Sequence, residues 1–419
     1  MFGVRCNRER SLKPETMNKL ISGLWTSDSG LPLKSINFQK NSVVMKIVAD
    51  DKIPFLNGAL EPHAEVVYIP GKQINKEIIK DSDALLIRTR TKCTENLLEG
   101  TSVGFIGTAT IGFDHIDIHY CNKNNILWTN APGCNSSSVQ QYIAAALFRI
   151  SSEYNFNLKD KTLGIIGVGN VGSKVEKFAR VLGMNVLLND PPRARLEGKK
   201  NFHSLRTILS QSDIVTVHVP LNVVGEDYTY HLFNDESFKK IKRGAWFINS
   251  SRGEVTDTFA LKKVLFSGKV GGAVLDVWEN EPDIDVEIMQ MAFIATPHIA
   301  GYSTDGKANG TAMVVGALSR NFNLPLKNWY PEYIPLPSSP YISIDCKGKS
   351  EEEIIREAVS HTYNIDEDKA NLLHSPTDFE KLRGDYRIRR EFTSFVINLK
   401  GGTENVQQML ERLGFSVES

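Results

Sequence analysis

The alternation of apolar and polar positions starts late in this chain. Residues 1 to about 42 mix basic, polar, Gly and Pro positions with no sustained apolar period, whereas Val43-Val44-Met45-Lys46-Ile47-Val48 opens as a strand. The leading stretch reads either as a loose, poorly ordered extension with Met45 as the functional start, or as a weakly packed arm. It lacks the apolar core that a secretory signal needs. Strands are then predicted at Lys46–Ala49, Glu65–Ile69, Ala84–Arg88, Val103–Gly107 and Ile126–Trp128, separated by helices at Asn75–Lys80, Glu95–Leu98 and His119–Asn124. A longer helix, Ser136–Ser152, starts from a Ser cluster that can cap it. A second alternating series has strands at Thr162–Gly167, Asn185–Asn189, Ile214–Val219, Ala245–Asn249, Gly272–Val277 and Phe293–Thr296. Its helices are Val171–Leu182, Leu205–Ser210, Asp235–Lys242 and Thr258–Phe266. Strand–helix alternation at this spacing predicts parallel sheets covered on both faces.

Pro331, Pro335, Pro337 and Pro340 mark a stiff linker. Beyond it the pattern runs strand, helix, strand, helix, at Ile342–Asp345, Glu351–His361, Thr393–Leu399 and Glu404–Leu413. The expected fold class is therefore α/β. A doubly wound parallel Rossmann sheet over residues 139–296 is joined by a smaller, discontinuous α/β substrate-binding (lid) domain, residues 43–138 and 297–328. A C-terminal α+β unit spans 335–419. Two chain crossings, near Gly133–Ser152 and Pro297–Asn309, suggest a hinge over a cleft.

Composition narrows the partners. Lys+Arg and Asp+Glu both total 49, so no net charge drives binding to nucleic acid or an anionic membrane. The longest apolar run, Tyr142–Phe148, is far short of the roughly 20 residues that span a bilayer. Five scattered cysteines without a CxxC pair fit reduced thiols and a cytoplasmic protein, and suggest no zinc site.

Candidate chemistry begins at Gly167-Val168-Gly169-Asn170-Val171-Gly172, which closes a predicted strand and opens a predicted helix. That is the context a dinucleotide fingerprint requires. Gly167 allows the tight turn, Gly169 lets backbone approach a pyrophosphate, and Gly172 permits close helix–strand packing. The helix N-terminus offers free N–H groups to the phosphates. Asp190, ending the next strand, can accept from both ribose hydroxyls and repel a 2′-phosphate, which favours NAD over NADP. Arg193 and Arg195 nearby count the other way, and Asp190 alone could be a strand-end cap.

Three further segments sit at predicted carboxyl ends of strands, where open α/β sheets bind ligands. They are Asn249-Ser250-Ser251-Arg252-Gly253, Asp276-Val277-Trp278-Glu279-Asn280-Glu281-Pro282 and Thr296-Pro297-His298-Ile299-Ala300-Gly301. Oxidising a 2-hydroxy acid needs a base for the hydroxyl proton as hydride leaves the same carbon. His298 suits this, since an imidazole ordinarily titrates near neutral pH. Glu281 is the candidate to fix its tautomer, although Glu281 before Pro, like Glu279 two positions earlier, also reads as a turn residue. Arg252 can grip the substrate carboxylate and polarise the C2 oxygen.

The same set, from the glycine loop through Ser251-Arg252-Gly253 and Asp276…Glu281-Pro282 to Thr296-Pro297-His298, resembles the D-isomer-specific 2-hydroxyacid dehydrogenases. Phe105–His115, Ala131-Pro132-Gly133-Cys134-Asn135, Asp190-Pro191-Pro192-Arg193 and the tail signature Phe379-Glu380-Lys381-Leu382-Arg383…Arg389-Arg390-Glu391 resemble more closely the family of erythronate-4-phosphate dehydrogenase. The resemblance implies NAD-dependent oxidation of 4-phospho-D-erythronate, a step of pyridoxal 5′-phosphate biosynthesis, by a cytoplasmic homodimer held by its C-terminal domain. By motif position it implies catalytic roles for Arg252, Glu281 and His298. It also implies cofactor contacts at Gly167, Gly169, Val171, Gly172, Asp190, Asp276 and Gly301, and substrate contacts at Thr89, Thr110 and Tyr302. The family's Ala-Cys-Arg-Gly is Ser250-Ser251-Arg252-Gly253 here, with the Arg in place, and the N-terminal stretch has no counterpart. A phosphorylated substrate needs cations. Arg88, with Arg90 and Lys92, forms one candidate cluster, helped by Arg387, Arg389 or Arg390 from a partner's tail. The rival readings are another D-2-hydroxyacid dehydrogenase, such as one acting on phosphoglycerate, and a non-catalytic NAD-sensing binding protein.

Overall fold

The computed structural model describes residues 44–418, so the expectation for residues 1–42 lies outside the described residues. Three wholly parallel sheets organise them. The first contains β1 (Lys46–Asp50), β2 (Glu65–Ile69), β3 (Ala84–Ile87), β4 (Phe105–Thr108) and β5 (Leu127–Thr129) in the order β2-β1-β3-β4-β5. The second contains β6 (Thr162–Ile166), β7 (Asn185–Asn189), β8 (Ile214–Val217), β9 (Ala245–Asn249), β10 (Val270–Leu275) and β11 (Ile294–Ala295) in the order β11-β10-β9-β8-β6-β7. The third contains β12 (Tyr341–Asp345), β13 (Val396–Lys400) and β14 (Ser416–Glu418) in sequence order.

In the second sheet β6 lies between β7 and β8, so the strand order reverses at β6. Ligands bind open α/β sheets at such a switch point, outside the carboxyl ends of the strands. The segment between the helices Pro191–Glu197 and Leu205–Gln211 forms no strand. His203 continues this edge beyond β7, donating from N to Leu188 O and accepting at O from Asn189 Nδ2, each at 2.7 Å. The first sheet has its own reversal between β1 and β3. Arg88 sits there and donates from Nη1 to Lys52 O at 3.2 Å.

Two helices join the sheets. Ser136–Glu153 is buried on nearly every side because its apolar and small residues pack against the helices Asn170–Val181, Thr304–Phe322 and Glu351–Thr362. Thr304–Phe322 carries the chain back to the first sheet, burying Val314, Val315 and Leu318 in that sheet's core. The approach is close: a Cβ on Gly107 would stand 2.6 Å from Val314 Cγ1. The sequence pattern does not announce this helix. Gly306, Gly310 and Gly316 with Thr304 and Thr311 give it low intrinsic helix propensity, and packing overrides that preference.

The tail is more elaborate than the predicted four elements. Helices Ile365–His374 and Phe379–Gly384 lie between Glu351–Thr362 and β13, which begins at Val396 rather than Thr393, and β14 adds a third strand. The helices Glu351–Thr362 and Glu404–Leu413 cover one face of the sheet with Ile354, Ile355, Val406 and Leu410. These residues share one apolar core with Tyr142, Phe148, Phe178 and Val175 of the second sheet's helices.

Candidate active site

The three fingerprint glycines have three different reasons to be glycine. Gly167 has φ +84°, and a Cβ on it would stand 2.5 Å from His218 O, just beyond β8. It therefore holds the turn at the switch point. A Cβ on Gly172 would stand 2.0 Å from Gly167 O, so this glycine lets the helix Asn170–Val181 close onto the turn. Gly169 meets nothing within 4 Å and leaves the space over the turn open. No side chain caps the N-terminus of this helix, in contrast to the helices that start after Asp190, Ser204 and Asp257. Unpaired N–H groups beside an open, side-chain-free turn suit a pyrophosphate. Val171 sits half-buried in the first helical turn, packed on the core.

Asp190 spends one carboxylate oxygen on Val168 N, 2.8 Å, and the other on Arg193 N, 3.0 Å, capping the helix Pro191–Glu197. The cap and a ribose-binding role are compatible, since a carboxylate offers about four acceptor sites. Arg193 is committed to Glu197 through Nε and Nη2 (2.6 and 2.9 Å) and to Val168 O (2.7 Å). Arg195 pairs with Asp227 and, at 3.3 Å, with Glu226. Both arginines that could have held a 2′-phosphate are thus already paired.

Arg252, Glu281 and His298 leave β9, β10 and β11, which are neighbours in the sheet. Asn249, at the end of β9, accepts from Ser251 N and Oγ (3.0 and 2.9 Å) and donates to Arg252 O (3.0 Å), which fixes the loop bearing Arg252. A Cβ on Gly253 would stand 2.0 Å from the Trp278 carbonyl, so Gly253 lets this loop lie against the loop bearing Glu281. Glu281 Oε2 accepts from His298 Nδ1 at 2.7 Å, and Oε1 accepts from Trp278 N at 3.0 Å. Burial alone would raise the Glu281 carboxyl. Its bond to His298, the Trp278 N–H and the charge of Arg383 outweigh burial and hold it below the usual glutamate value. Glu279 is spent elsewhere, on His231 Nε2 at 2.7 Å and Thr258 N at 2.8 Å. Of the two acids of this loop, Glu281 is the one that meets His298.

His298 has φ +56°, a left-handed conformation that costs a non-glycine residue roughly 1 kcal/mol or more. Asp276 holds it there. Fully buried at the end of β10, its carboxylate accepts from Ile299 N (2.8 Å), Ala300 N (2.9 Å) and Thr296 Oγ1 (2.7 Å). Thr296 in turn bonds Tyr142 Oη at 2.8 Å, and Trp278 Nε1 donates to Thr296 O at 2.9 Å. Burial raises the Asp276 carboxyl above the usual aspartate value, against the pull of these donors and of His298. Gly301 makes room for Asn135, whose Nδ2 would stand 2.1 Å from a Cβ there.

Comparison with known proteins gives the family of the chain. Residues 135–300 match the family described as "D-isomer specific 2-hydroxyacid dehydrogenase, NAD binding domain", and residues 335–414 match a domain of unknown function, DUF3410. Erythronate-4-phosphate dehydrogenase of Bacteroides fragilis is 49% identical over 84% of this chain and 99% of its own length. That of Proteus mirabilis is 40% identical over 89% and 99%. The chain belongs to the erythronate-4-phosphate dehydrogenase family. Among solved structures it is similar to D-lactate dehydrogenase from Aquifex aeolicus, complexed with NAD and lactic acid. The identity is 28% and the TM-score 0.56, covering 68% of this chain and 98% of the other. NAD+-bound 3-phosphoglycerate dehydrogenase of Entamoeba histolytica is 27% identical, with TM-score 0.57 and the same coverage. As a member of the erythronate-4-phosphate dehydrogenase family the chain is an NAD-dependent oxidoreductase.

The remaining residues expected at the substrate divide by place. Thr110 follows β4 and donates from Oγ1 to Gly112 O at 2.9 Å. Gly112 lies against the Arg252 guanidinium, with Nη2 2.7 Å from where its Cβ would be, so Thr110 and Arg252 share one corner. Tyr302 continues the His298 loop and packs edge-on against Tyr386 of the tail, 5.9 Å between centroids. Thr89 and Arg88 end β3, Thr89 exposed and Arg88 half-buried.

Sequence reasoning missed how deeply the tail enters the site. Arg389, 3% exposed, donates from Nη2 to Ala300 O at 2.5 Å, in the His298 loop. Arg390 forms a two-bond fork with Asp305, 2.9 Å each. Glu391 Oε1 accepts from Ser138 and Ser303, 2.8 and 2.9 Å, at the starts of the two joining helices. The Arg-Arg-Glu run was visible in the sequence, but not its burial. Among the described residues no helix is long and apolar enough to cross a membrane, no His/Cys/Asp/Glu group could hold a metal, and Cys93, Cys121, Cys134 and Cys346 are free.

Proposed function

We propose that this chain oxidises 4-phospho-D-erythronate at C2 to (R)-3-hydroxy-2-oxo-4-phosphooxybutanoate with NAD, in the cytoplasm, as a step toward pyridoxal 5′-phosphate. The observation that carries the reading is the 2.7 Å His298–Glu281 pair, with Arg252 leaving the adjoining strand β9 in the sheet that carries the glycine turn. Gly167–Gly172, with Asp190, Asp276 and Gly301, would hold NAD, which would supply the hydride acceptor.

His298 engages Glu281 through Nδ1, which leaves Nε2 to take the hydroxyl proton. The ionised Glu281 stabilises the imidazolium as it forms. Arg252 holds the substrate carboxylate by two N–H groups and draws charge toward the C2 oxygen as it becomes a carbonyl. Thr110, beside Arg252, and Thr89 and Tyr302 position the rest of the substrate.

The domain reading is a lid of residues 43–138 and 297–328 over an NAD-binding domain of 139–296, joined at the two long helices, with 335–419 as the dimerisation domain of a homodimer. One sheet face of the tail supports the dimer: Tyr341, Ser343 and Asp345 of β12 stay exposed while Ile342 and Ile344 are buried. Purified protein should form NADH with 4-phosphoerythronate, not with phosphoglycerate, and His298→Ala should abolish it. Turnover of phosphoglycerate alone, or of neither acid, would overturn the substrate assignment.

A further inference from the structure

His115 has no part in the proposed chemistry, yet it lies at the end of the segment that leaves β4 toward Thr110 and Gly112. Its ring is half-buried, and Nε2 lies 3.0 Å from Thr108 Oγ1. Thr108, the last residue of β4, is fully buried, and its Oγ1 lies 2.7 Å from Thr110 Oγ1. Thr110 Oγ1 donates to Gly112 O at 2.9 Å. One short stretch of backbone is thus spanned by a relay of three consecutive hydrogen bonds.

Only one placement of protons satisfies every bond in this relay. A hydroxyl has one proton to give, and a carbonyl has none. Gly112 O must accept, which uses the Thr110 proton. Thr110 Oγ1 must then accept from Thr108. Thr108 Oγ1, its own proton spent, must accept from His115, so Nε2 carries a hydrogen. Burial holds the His115 imidazole below the usual histidine value, against the charge of Asp114. The ring is therefore neutral at neutral pH and has a single N–H, the one on Nε2. The other tautomer would turn the Thr108 hydroxyl to the ring and the Thr110 hydroxyl to Thr108, and Gly112 O would lose its donor.

The far end of the relay lies at the site. Ala131 N donates to Thr110 O at 3.0 Å and Asn130 Nδ2 to Ile111 O at 2.7 Å, so with Gly112 O three successive carbonyls of this turn are held. The third bond exists only while the Thr110 hydroxyl points at Gly112. The Arg252 guanidinium rests on the same turn, with Nη2 2.7 Å from where a Gly112 Cβ would stand. A turn free to shift there would take the backing from Arg252 and move Thr110 with it.

Resting on the proposed function, in which Thr110 and Arg252 hold the substrate, we propose that His115 is a positioning residue for that reaction. Its Nε2–H, passed on through the Thr108 hydroxyl, aims the Thr110 hydroxyl at Gly112 O and so fixes the turn that backs Arg252. His115 acts through Thr108 and not on the reacting atoms.

Two measurements on the full-length protein test this. The first is a long-range proton–nitrogen correlation spectrum of protein carrying isotope-labelled histidine, at neutral pH and without substrate. The His115 signals are those lost in His115→Gln. They should place the hydrogen on Nε2, and a hydrogen on Nδ1 overturns the relay. The second is steady-state NADH formation. His115→Leu and Thr108→Val should each raise KM for 4-phosphoerythronate about 10-fold, as loss of a sheltered hydrogen bond does, and change KM for NAD by less than about twofold. His115→Gln, which keeps an N–H, and Thr108→Ser, which keeps the hydroxyl, should recover most of the loss. An unchanged KM for the acid in the Leu and Val variants, an equal change in KM for NAD, or no recovery in the Gln and Ser variants also overturns the proposal. If the Leu and Val variants fail to fold, the spectrum decides. An unaltered enzyme inactive on 4-phosphoerythronate overturns the proposed function instead, and the spectrum, taken without substrate, still tests the relay.

Discussion

Replacing Glu281 by Gln isolates the contribution of charge at the proposed base. In the native site each carboxylate oxygen accepts one bond, from His298 Nδ1 at 2.7 Å and from Trp278 N at 3.0 Å. An amide has one oxygen. Either the imidazole or the Trp278 N–H must then face an NH2 group, donor against donor. Both side chains of the pair are largely sheltered, 19% exposed for Glu281 and 28% for His298, so water compensates poorly. A hydrogen bond to a charged group contributes about 1.5–3 kcal/mol, and a sheltered unpaired donor costs about 1–3 kcal/mol. If about 3 kcal/mol of this is felt as the imidazolium forms, kcat/KM falls by about 10²-fold, at 1.36 kcal/mol per tenfold.

The assay is NADH absorbance with 4-phosphoerythronate, alongside NAD binding followed by fluorescence, which should not change. The pair also leaves a stability signature. The Glu281 carboxyl is held below its ordinary value of 4.5. Its contribution is therefore present above 4.5 and is lost as pH falls through the lowered value. Glu281→Gln should remove that acid-side decline. Glu279→Gln is the contrast, because Glu279 serves His231 and Thr258 N, and it should change kcat by less than about threefold. A folded Glu281→Gln protein retaining kcat/KM within threefold of the unaltered enzyme would refute the reasoning.

Other outcomes follow from the same geometry. Gly172→Ala should abolish NAD binding or folding, because its Cβ would stand 2.0 Å from Gly167 O, whereas Gly169→Ala, with open space around it, should fold normally and weaken only NAD binding; calorimetric titration with NAD separates them. Burial and the nearby charge of Asp305 raise the Glu391 carboxyl above 4.5, so the stability linked to it is present below 4.5 and is lost as pH rises through the raised value. Glu391→Gln keeps an oxygen for Ser138 and Ser303, so melts from pH 5 to 8 should show a smaller decline than in the unaltered protein, and an equal decline would count against a buried charge. Arg389→Met, by freeing Ala300 O, should lower kcat more than the KM for NAD, and Arg389→Lys should recover part of the loss; equal effects on both parameters would argue against positioning of the His298 loop.

Much of the fold was legible because two parallel sheets impose short apolar strands at regular intervals. Strands Glu65–Ile69, Asn185–Asn189 and Ala245–Asn249 have the bounds their patterns indicate. The illegible helices have identifiable reasons. Asp190-Pro191-Pro192 carried no predicted helix, yet Asp at the cap with Pro in the first turn starts one. The glycines of Thr304–Phe322 weaken its signal while allowing its close approach to β4. At the site, motif spacing named Arg252, Glu281 and His298 but could not show that Glu279, two positions before Glu281, is turned instead to His231 and Thr258 N. Nor could spacing show that Asp276 spends its carboxylate on the backbone of the His298 loop, since the donors are N–H groups common to every residue.

The tail carries the argument furthest from the sequence. A left-handed His298 persists only if its loop is over-determined. Asp276 supplies two of the bonds that hold it, and Arg389, from a segment some ninety positions later in the chain, supplies another. The same segment ties the starts of both joining helices together through Glu391 and Asp305. The loop that bears the base and the starts of the helices that join the sheets are thus both tied to residues 389–391. Loss of the tail should therefore impair hydride transfer through the geometry of His298, even in a chain whose glycine turn still binds NAD.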